Sequence, residues 1–110
     1  MSRDVGAMLG EALREGAANF MNFGARVEVH LLDSREWASV TFAGARHRLS
    51  VVIDGPGAVG GAADLLDALP DLELAVRGQI IADMALVAEE RRDGGDHAVL
   101  ELEALTIEDC

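Results

Sequence analysis

The sequence predicts an α+β domain in which two helices pack on one face of a mainly antiparallel six-stranded sheet, in the order αβββαβββ. Two stretches carry apolar residues three and four positions apart, as helices do, and several others alternate apolar with polar residues, as half-buried strands do. Clusters of Gly, Asp and Pro separate these stretches. The length of 110 residues suits one domain spanning residues 1–110, and the 50% hydrophobic fraction is typical of a globular chain.

The first helix is predicted from Asp4 to Asn22. Its apolar residues recur at helical spacing: Val5, Met8, Leu9, Ala12, Leu13, Ala17, Phe20 and Met21. The side chain of Asp4 can cap the start of the helix, and Gly24 can end it. Each internal glycine weakens a helix by up to ~1 kcal/mol relative to alanine, so we expect this helix to depend on packing against the sheet.

Three strands are predicted next, at residues 26–31, 37–42 and 49–53, joined by short turns at residues 33–35 and 43–45. In the second of these strands, Ala38, Val40 and Phe42 alternate with Trp37, Ser39 and Thr41. The alternation predicts that the first set faces the core, and it places Trp37 on the opposite face of the sheet.

The second half of the chain repeats the pattern of one helix and three strands. The helix is predicted at residues 58–69, ended by Pro70, and the strands at residues 72–77, 79–91 and 98–107. Residues 93–96 form a strong hairpin-turn signal, and a change of apolar phase at Ala104 predicts a β-bulge. A duplicated αβββ unit fits this order, and a ferredoxin-like arrangement is the nearest alternative fold.

The charge balance makes nucleic acid and anionic membranes poor partners. The chain has 20 acidic and 9 basic residues, all of the latter Arg, for a net charge of −11, and the Arg residues are scattered from Arg3 to Arg92. Such Arg-only usage is typical of bacteria with GC-rich genomes. Residues 1–10 lack the pattern of a signal peptide and no apolar run approaches the ~20 residues that span a bilayer, so we expect a cytoplasmic protein. The single cysteine, Cys110, allows no internal disulfide.

One segment, Gly55 to Gly60, matches the G-x-G-x-x-G pattern of dinucleotide-binding folds after a strand and at the start of a helix. Those folds need parallel strands joined by crossover helices, whereas the strands on both sides of this segment resemble hairpins. We therefore interpret the glycines as a tight turn at a helix start, and we expect no binding of NAD or FAD and no other cofactor.

The remaining residue types give no catalytic or metal-binding constellation. His30, His47 and His97 lie on different elements; His47 and His97 fall near turns, where we expect them to be solvated, and His30 falls on the polar side of a strand beside Glu28. The serines lack a nucleophile-elbow pattern, and the paired acids, such as Glu101 with Glu103, are typical of a solvated strand face.

The helix-free face of the predicted sheet is the most informative surface. It combines charged residues with an apolar patch that contains Trp37, Val52, Ile81, Ala85 and Val87. A patch of this kind usually marks an interface or a ligand groove. We therefore expect a non-catalytic interaction domain, most simply a homodimer joined through this face.

The alternative reading of the same face is a binding site for a small ligand, or the site of an enzyme. Trp37 would then be an apolar platform and four polar side chains would converge on the ligand: His30, Arg48, Arg77 and Asp83.

Overall fold

A computed structural model describes residues 4–109 of the chain, except for the side chain of Asp93. Arg3 and Cys110 lie outside the described residues. The elements in chain order are α1 (Val5–Ala18), β1 (Arg26–Ala38), β2 (Ala43–Asp54), α2 (Ala58–Ala68), β3 (Gln79–Arg91) and β4 (His97–Glu108). Short 3-10 turns at Leu69–Asp71 and Asp93–Gly95 precede β3 and β4.

The four strands form one antiparallel sheet in the order β1-β2-β4-β3. The chain is thus two αββ units, α1-β1-β2 and α2-β3-β4, whose second strands pair at the centre while β1 and β3 form the edges. Both helices pack on one side of the sheet, α1 mainly on β1 and α2 on β4 and β2. The α+β class is confirmed, and the opposite side of the sheet, hereafter the open face, carries no helix among residues 4–109.

The predicted count of six strands is wrong, because two predicted turns are strand and two predicted strands are not. Residues 33–35 continue β1 past a bulge after Leu31, and residues 43–45 are the start of β2. The hairpin turn lies instead at residues 39–42, where the Ser39 amide donates to the Phe42 carbonyl at 2.7 Å and the Phe42 amide donates to Ser39 Oγ at 3.1 Å. Ala38, Val40 and Phe42, predicted to face the core, are therefore exposed on a hairpin.

Residues 72–77, the other predicted strand, belong to no strand in the structure. Their alternation is real, since Leu72 and Leu74 are half-buried and Val76 is buried, but they pack as an irregular segment beside α1, with both leucines near Gly16. The αβββ duplication therefore becomes an αββ arrangement. The bulge predicted at Ala104 is also wrong, because β4 alternates regularly and the bulges lie in β1 and β3.

Both helices begin where they are predicted to begin. Asp4 caps α1 by accepting a hydrogen bond from the Ala7 amide at 3.0 Å, although α1 ends at Ala18, earlier than predicted. α2 begins at Ala58 and gives way to the 3-10 turn that contains Pro70. The core lies between the helices and the two central strands, and its largest fully buried apolar side chains are Leu9, Leu13, Leu49, Val51, Ile53, Leu65, Leu100 and Leu102.

Candidate interaction surface

The centre of the open face is an ion-pair network between the two central strands. Arg48 of β2 donates to Glu101 at 2.6 Å and to Glu103 at 3.4 Å, both on β4, and Arg46 lies 3.9 Å from Glu103. These side chains satisfy one another's charge across a partly exposed surface. The centre of the face is therefore polar and internally paired, unlike the apolar patch predicted from the sequence.

An apolar row crosses the open face at the end of the sheet that carries the β1–β2 hairpin. The register places Trp37, Gly44, Ile107 and Ile80 side by side on β1, β2, β4 and β3. Gly44 is required here, because a Cβ would overlap the Thr106 carbonyl and would lie 3.0 Å from Trp37 Cζ2. The glycine thus lets the indole lie across the row.

The hairpin turn extends this row into a larger apolar surface. Val40 is fully exposed and Phe42 is 57% exposed, and both line a groove of about 470 Å³ together with Ile80 and Ile107. We call the surface formed by Trp37, Val40, Phe42, Ile80 and Ile107 the hairpin-end patch. Large apolar side chains grouped in this way on a small chain are typical of an interface.

Unpaired polar atoms lie next to the patch and in the neighbouring network. Within the described residues, the buried side-chain nitrogens without a hydrogen-bond partner are Trp37 Nε1 and Arg48 Nε. A buried donor without a partner costs about 1–3 kcal/mol. An acceptor supplied by another molecule at the edge of β1 would remove this cost for Trp37.

The helix side of the same end holds a polar cleft of about 560 Å³ between the start of α1 and the sheet. His47, only 2% exposed, lies at its base. Its Nδ1 lies 2.7 Å from Ser34 Oγ and its Nε2 lies 3.0 Å from Thr106 Oγ1, whose hydroxyl donates to the Ala45 carbonyl. Burial lowers the pKa of His47, and the nearby Asp4 carboxylate only partly opposes this effect.

This cluster forms one directed chain of hydrogen bonds. With a neutral imidazole, Ser34 donates to Nδ1 and Nε2–H donates to Thr106, so both ring nitrogens are satisfied. A serine nucleophile also needs a group that stabilises the imidazolium formed during reaction, and Thr106 carries no charge. The arrangement therefore fits a structural link between β1, β2 and β4 better than nucleophilic catalysis.

Four of the five residues assigned to a ligand site lie on the open face. His30 and Trp37 lie on β1, Arg48 on β2 and Asp83 on β3, whereas Arg77 lies before β3 and lines the helix-side cleft. His30 lies 3.3 Å from Glu28. Since β1 and β3 are the two edges, His30 and Asp83 are three strand spacings apart across the sheet, or about 14 Å, and they also lie in different rows along the strands. A joint ligand-binding role for these residues stays a prediction.

The apolar patch predicted from strand phase is only partly the patch that exists. Trp37, Val52 and Ala85 do lie on the open face. Ile81 turns toward the helix side and packs on the core, because a register shift follows it, and Val87 is the extra residue of a second shift. The exposed hairpin residues Val40 and Phe42 were missed because their alternation resembles that of a buried strand.

The predictions for the histidines are also only partly right. His30 lies where expected, on the polar side of a strand, and His97 is partly exposed 3.2 Å from Asp54. His47 is buried, contrary to prediction. Its position three residues before Ser50 and two before the buried Leu49 gives the same phase as the core residues of β2, and this phase was the available signal.

The Gly55–Gly60 segment connects β2 to α2, as its pattern predicts, but its neighbours are antiparallel strands. Gly57 has a φ of 80°, and a Cβ there would lie 2.8 Å from the ring of Phe23. The glycine is explained by the turn and by the close approach of this ring.

Comparison with known proteins gives a similarity of fold. No family model and no curated protein matches the chain. A chain from the solved structure titled "Virion of native gene transfer agent (GTA) particle" is similar over 99% of this chain and 100% of that chain, with a TM-score of 0.57 and 23% sequence identity.

Residues 4–109 contain no helix long and apolar enough to cross a membrane. They also contain no cluster of three or more His, Cys, Asp or Glu side chains placed to hold a metal ion.

Proposed function

We propose that this chain is a non-catalytic structural subunit of a multi-chain, phage-like protein particle, and that it associates with further copies of itself through the hairpin-end patch. The patch is the observation on which the proposal rests. It groups five apolar side chains at one end of the sheet. The indole nitrogen of one of them, Trp37, has no hydrogen-bond partner within the described residues. A homodimer is the smallest assembly that such a contact produces.

The fold comparison supports the particle role. The virion component is similar in fold to this chain over 99% of this chain and 100% of that chain. A small chain whose exposed apolar residues lie at an end and an edge, and whose charges at the centre of the open face pair with one another, is suited to repeated contacts with other chains.

The energetic balance favours association through the patch. Burying one apolar side chain of this size contributes about 1.5–3 kcal/mol, and aromatic residues near an interface centre often contribute ~2 kcal/mol or more. Repulsion between copies of net charge −11 opposes this gain. Since salt screens charges over about 8 Å at physiological strength, we expect association to strengthen as salt is raised.

Sedimentation velocity over a range of concentrations tests the proposal. We compare the wild type with Phe42→Ser, in the patch, and with Phe23→Ser as a matched control. Phe23 is 75% exposed but lies at the other end of the sheet, beside Gly57. The wild type and the control should have the same dissociation constant for self-association. The dissociation constant of Phe42→Ser should be about tenfold higher or more.

A wild type that stays monomeric at millimolar concentration and high salt would contradict self-association. The particle role has a separate test in cells that encode this chain, where a tagged copy should sediment with assembled particles in a density gradient. A tagged copy found only in the unassembled fraction would contradict that role.

A further inference from the structure

The two edges of the sheet are complementary in direction. β1 and β3 are both 13 residues long, and each pairs on one side within residues 4–109. Because all neighbouring strands are antiparallel, β1 and β3 run in opposite directions along opposite edges. A second copy displaced sideways, without rotation, therefore brings its β3 antiparallel to the β1 of the first.

We propose that copies of this chain associate head to tail, with β1 of one copy beside β3 of the next, so that the sheet continues from copy to copy. This inference deepens the proposed self-association and rests on it. It assigns the contact to two different surfaces of the chain. Each copy therefore supplies both halves of the contact.

The residues of the two edges match when the rows of the sheet continue in register. One row runs Leu31, Leu49, Leu102, Leu86, so Leu86 of the next copy meets Leu31. These two leucines are 41% and 39% exposed in the single chain. Contact between the copies would bury both and would join the apolar rows of the two sheets.

Two further rows match on the open face. Arg35 lies in the row that ends at Asp83, and Trp37 lies in the row that ends at Ile80. In register, Asp83 of the next copy would meet Arg35, which holds Asp33 at 3.1 Å in the single chain. Ile80 of the next copy would meet Trp37. Opposite charges and apolar pairs that face each other across neighbouring strands both stabilise a sheet.

The geometry disfavours pairing of like edges. If β1 paired antiparallel with a second β1, the Trp37 end of one strand would face the Arg26 end of the other, and the hairpin-end patches would lie at opposite ends of the dimer. Pairing of β3 with β3 would separate Ile80 from Ile80 in the same way. Pairing of β1 with β3 brings both patches to the same end, because Trp37 and Ile80 share a row.

One row places like charges opposite each other. Glu28 and Glu90 would face each other near the far end of the sheet. Both are exposed, and Arg92 lies 4.0 Å from Glu90, so solvent and this cation reduce the repulsion. The extra residues at the two bulges, Leu32 and Val87, are exposed apolar residues near the matched leucines.

A head-to-tail contact leaves one free edge at each end of any pair. Association therefore continues past two copies, and the twist of the sheet rotates each copy relative to the last. The assembly closes into a ring if that rotation closes, and otherwise it extends as a filament.

Disulfide trapping tests the register. In a Cys110→Ser background, Arg35→Cys and Asp83→Cys are made as separate chains and mixed under mild oxidation. Facing residues of neighbouring strands are close enough for a disulfide. The mixture should form covalent dimers about tenfold faster than either variant alone, and about tenfold faster than Arg26→Cys mixed with Asp83→Cys, a control pair that lies far apart in register.

Equal rates for Arg35→Cys alone and for the mixture would overturn the proposal. Equal rates for the control pair would also overturn it. If sedimentation shows Phe42-dependent association while trapping fails, only the head-to-tail contact is wrong. If the wild type sediments as a monomer, the self-association itself is wrong.

Discussion

The two αββ units have the same element order, but their helices cover their edge strands to different extents. α1 packs on its own edge strand, so Val27 and Val29 of β1 are half-buried, whereas α2 packs on β4 and β2. The second half of β3, from Ala85 to Arg91, is consequently exposed. Gly61 of α2 approaches Met21 and the carbonyl of Phe20, just after α1, so closely that a larger residue would clash there.

The central and edge strands of the sheet therefore differ in burial. The central strands β2 and β4 alternate buried and half-buried residues along most of their length and hold the core. The edge strands are long and largely exposed. Long edges are a liability for an isolated chain, and they are suited to contacts with other chains.

The largest expected effect compares the centre and the edge within one row. Leu102→Ala, in the fully buried centre of β4, should lower the free energy of unfolding by about 2–5 kcal/mol. Leu86→Ala, its neighbour on β3, should cost about 1 kcal/mol or less. Urea unfolding at low protein concentration measures both. Equal losses would show that β3 is as well packed as β4.

Glycines give the second comparison. Gly44→Ala should destabilise the chain by about 1–3 kcal/mol, because its Cβ would overlap the Thr106 carbonyl. Gly60→Ala in α2 is the control, since its Cβ would meet nothing within 4 Å, and it should stabilise the helix by up to about 1 kcal/mol. Thermal unfolding distinguishes the two. An unchanged stability of Gly44→Ala would mean that β2 and β4 can separate locally without cost.

The third prediction concerns pH. Burial lowers the pKa of His47 in the folded chain, so the unfolded chain takes up its proton first as pH falls. The stability linked to His47 is therefore complete above about pH 6.5 and is lost as pH falls from there through the folded-state pKa. The free energy of unfolding should fall more steeply between about pH 7 and 5 in the wild type than in His47→Gln. Equal slopes would contradict the buried neutral imidazole.

The smallest expected effect is at the hairpin. Phe42→Ser should change the stability of the monomer by about 0.5 kcal/mol or less, because the side chain is largely exposed in the single chain. Chemical unfolding of dilute protein measures this change. A loss of ~2 kcal/mol would place Phe42 in the fold rather than in the interface.

Local patterns predicted the elements that have strong signals at both ends. The cap at Asp4, the start of α2 at Ala58 and the turn between β3 and β4 follow from capping and turn residues that act over a few positions. The predicted number of strands is wrong because alternation of apolar and polar residues does not show whether another element packs on the apolar side. Val40 and Phe42 alternate on an exposed hairpin, and Leu72 and Leu74 alternate in an irregular segment.

The candidate surface was predicted in part for the same reason. The structure places Trp37 on the open face, as predicted, although Ala38, Val40 and Phe42, whose core-facing phase led to that prediction, lie exposed on the hairpin. The phase of Ile81 could not be predicted, since a register shift after it changes the face of the next residues. The phase of His47 in β2 matched that of the buried Leu49, but its hydrogen-bond partner Thr106 lies 59 positions away and could not be predicted from local sequence.

Hydrogen–deuterium exchange at rising protein concentration tests the central claim that the two exposed edges join copies of the chain. In dilute protein, amides of β1 and β3 should exchange faster than those of β2 and β4, since only the central strands are paired on both sides. As copies associate, protection should rise in residues 31–38 and 80–90 together, while the central strands stay unchanged. Association without new protection in both edge strands would contradict the account.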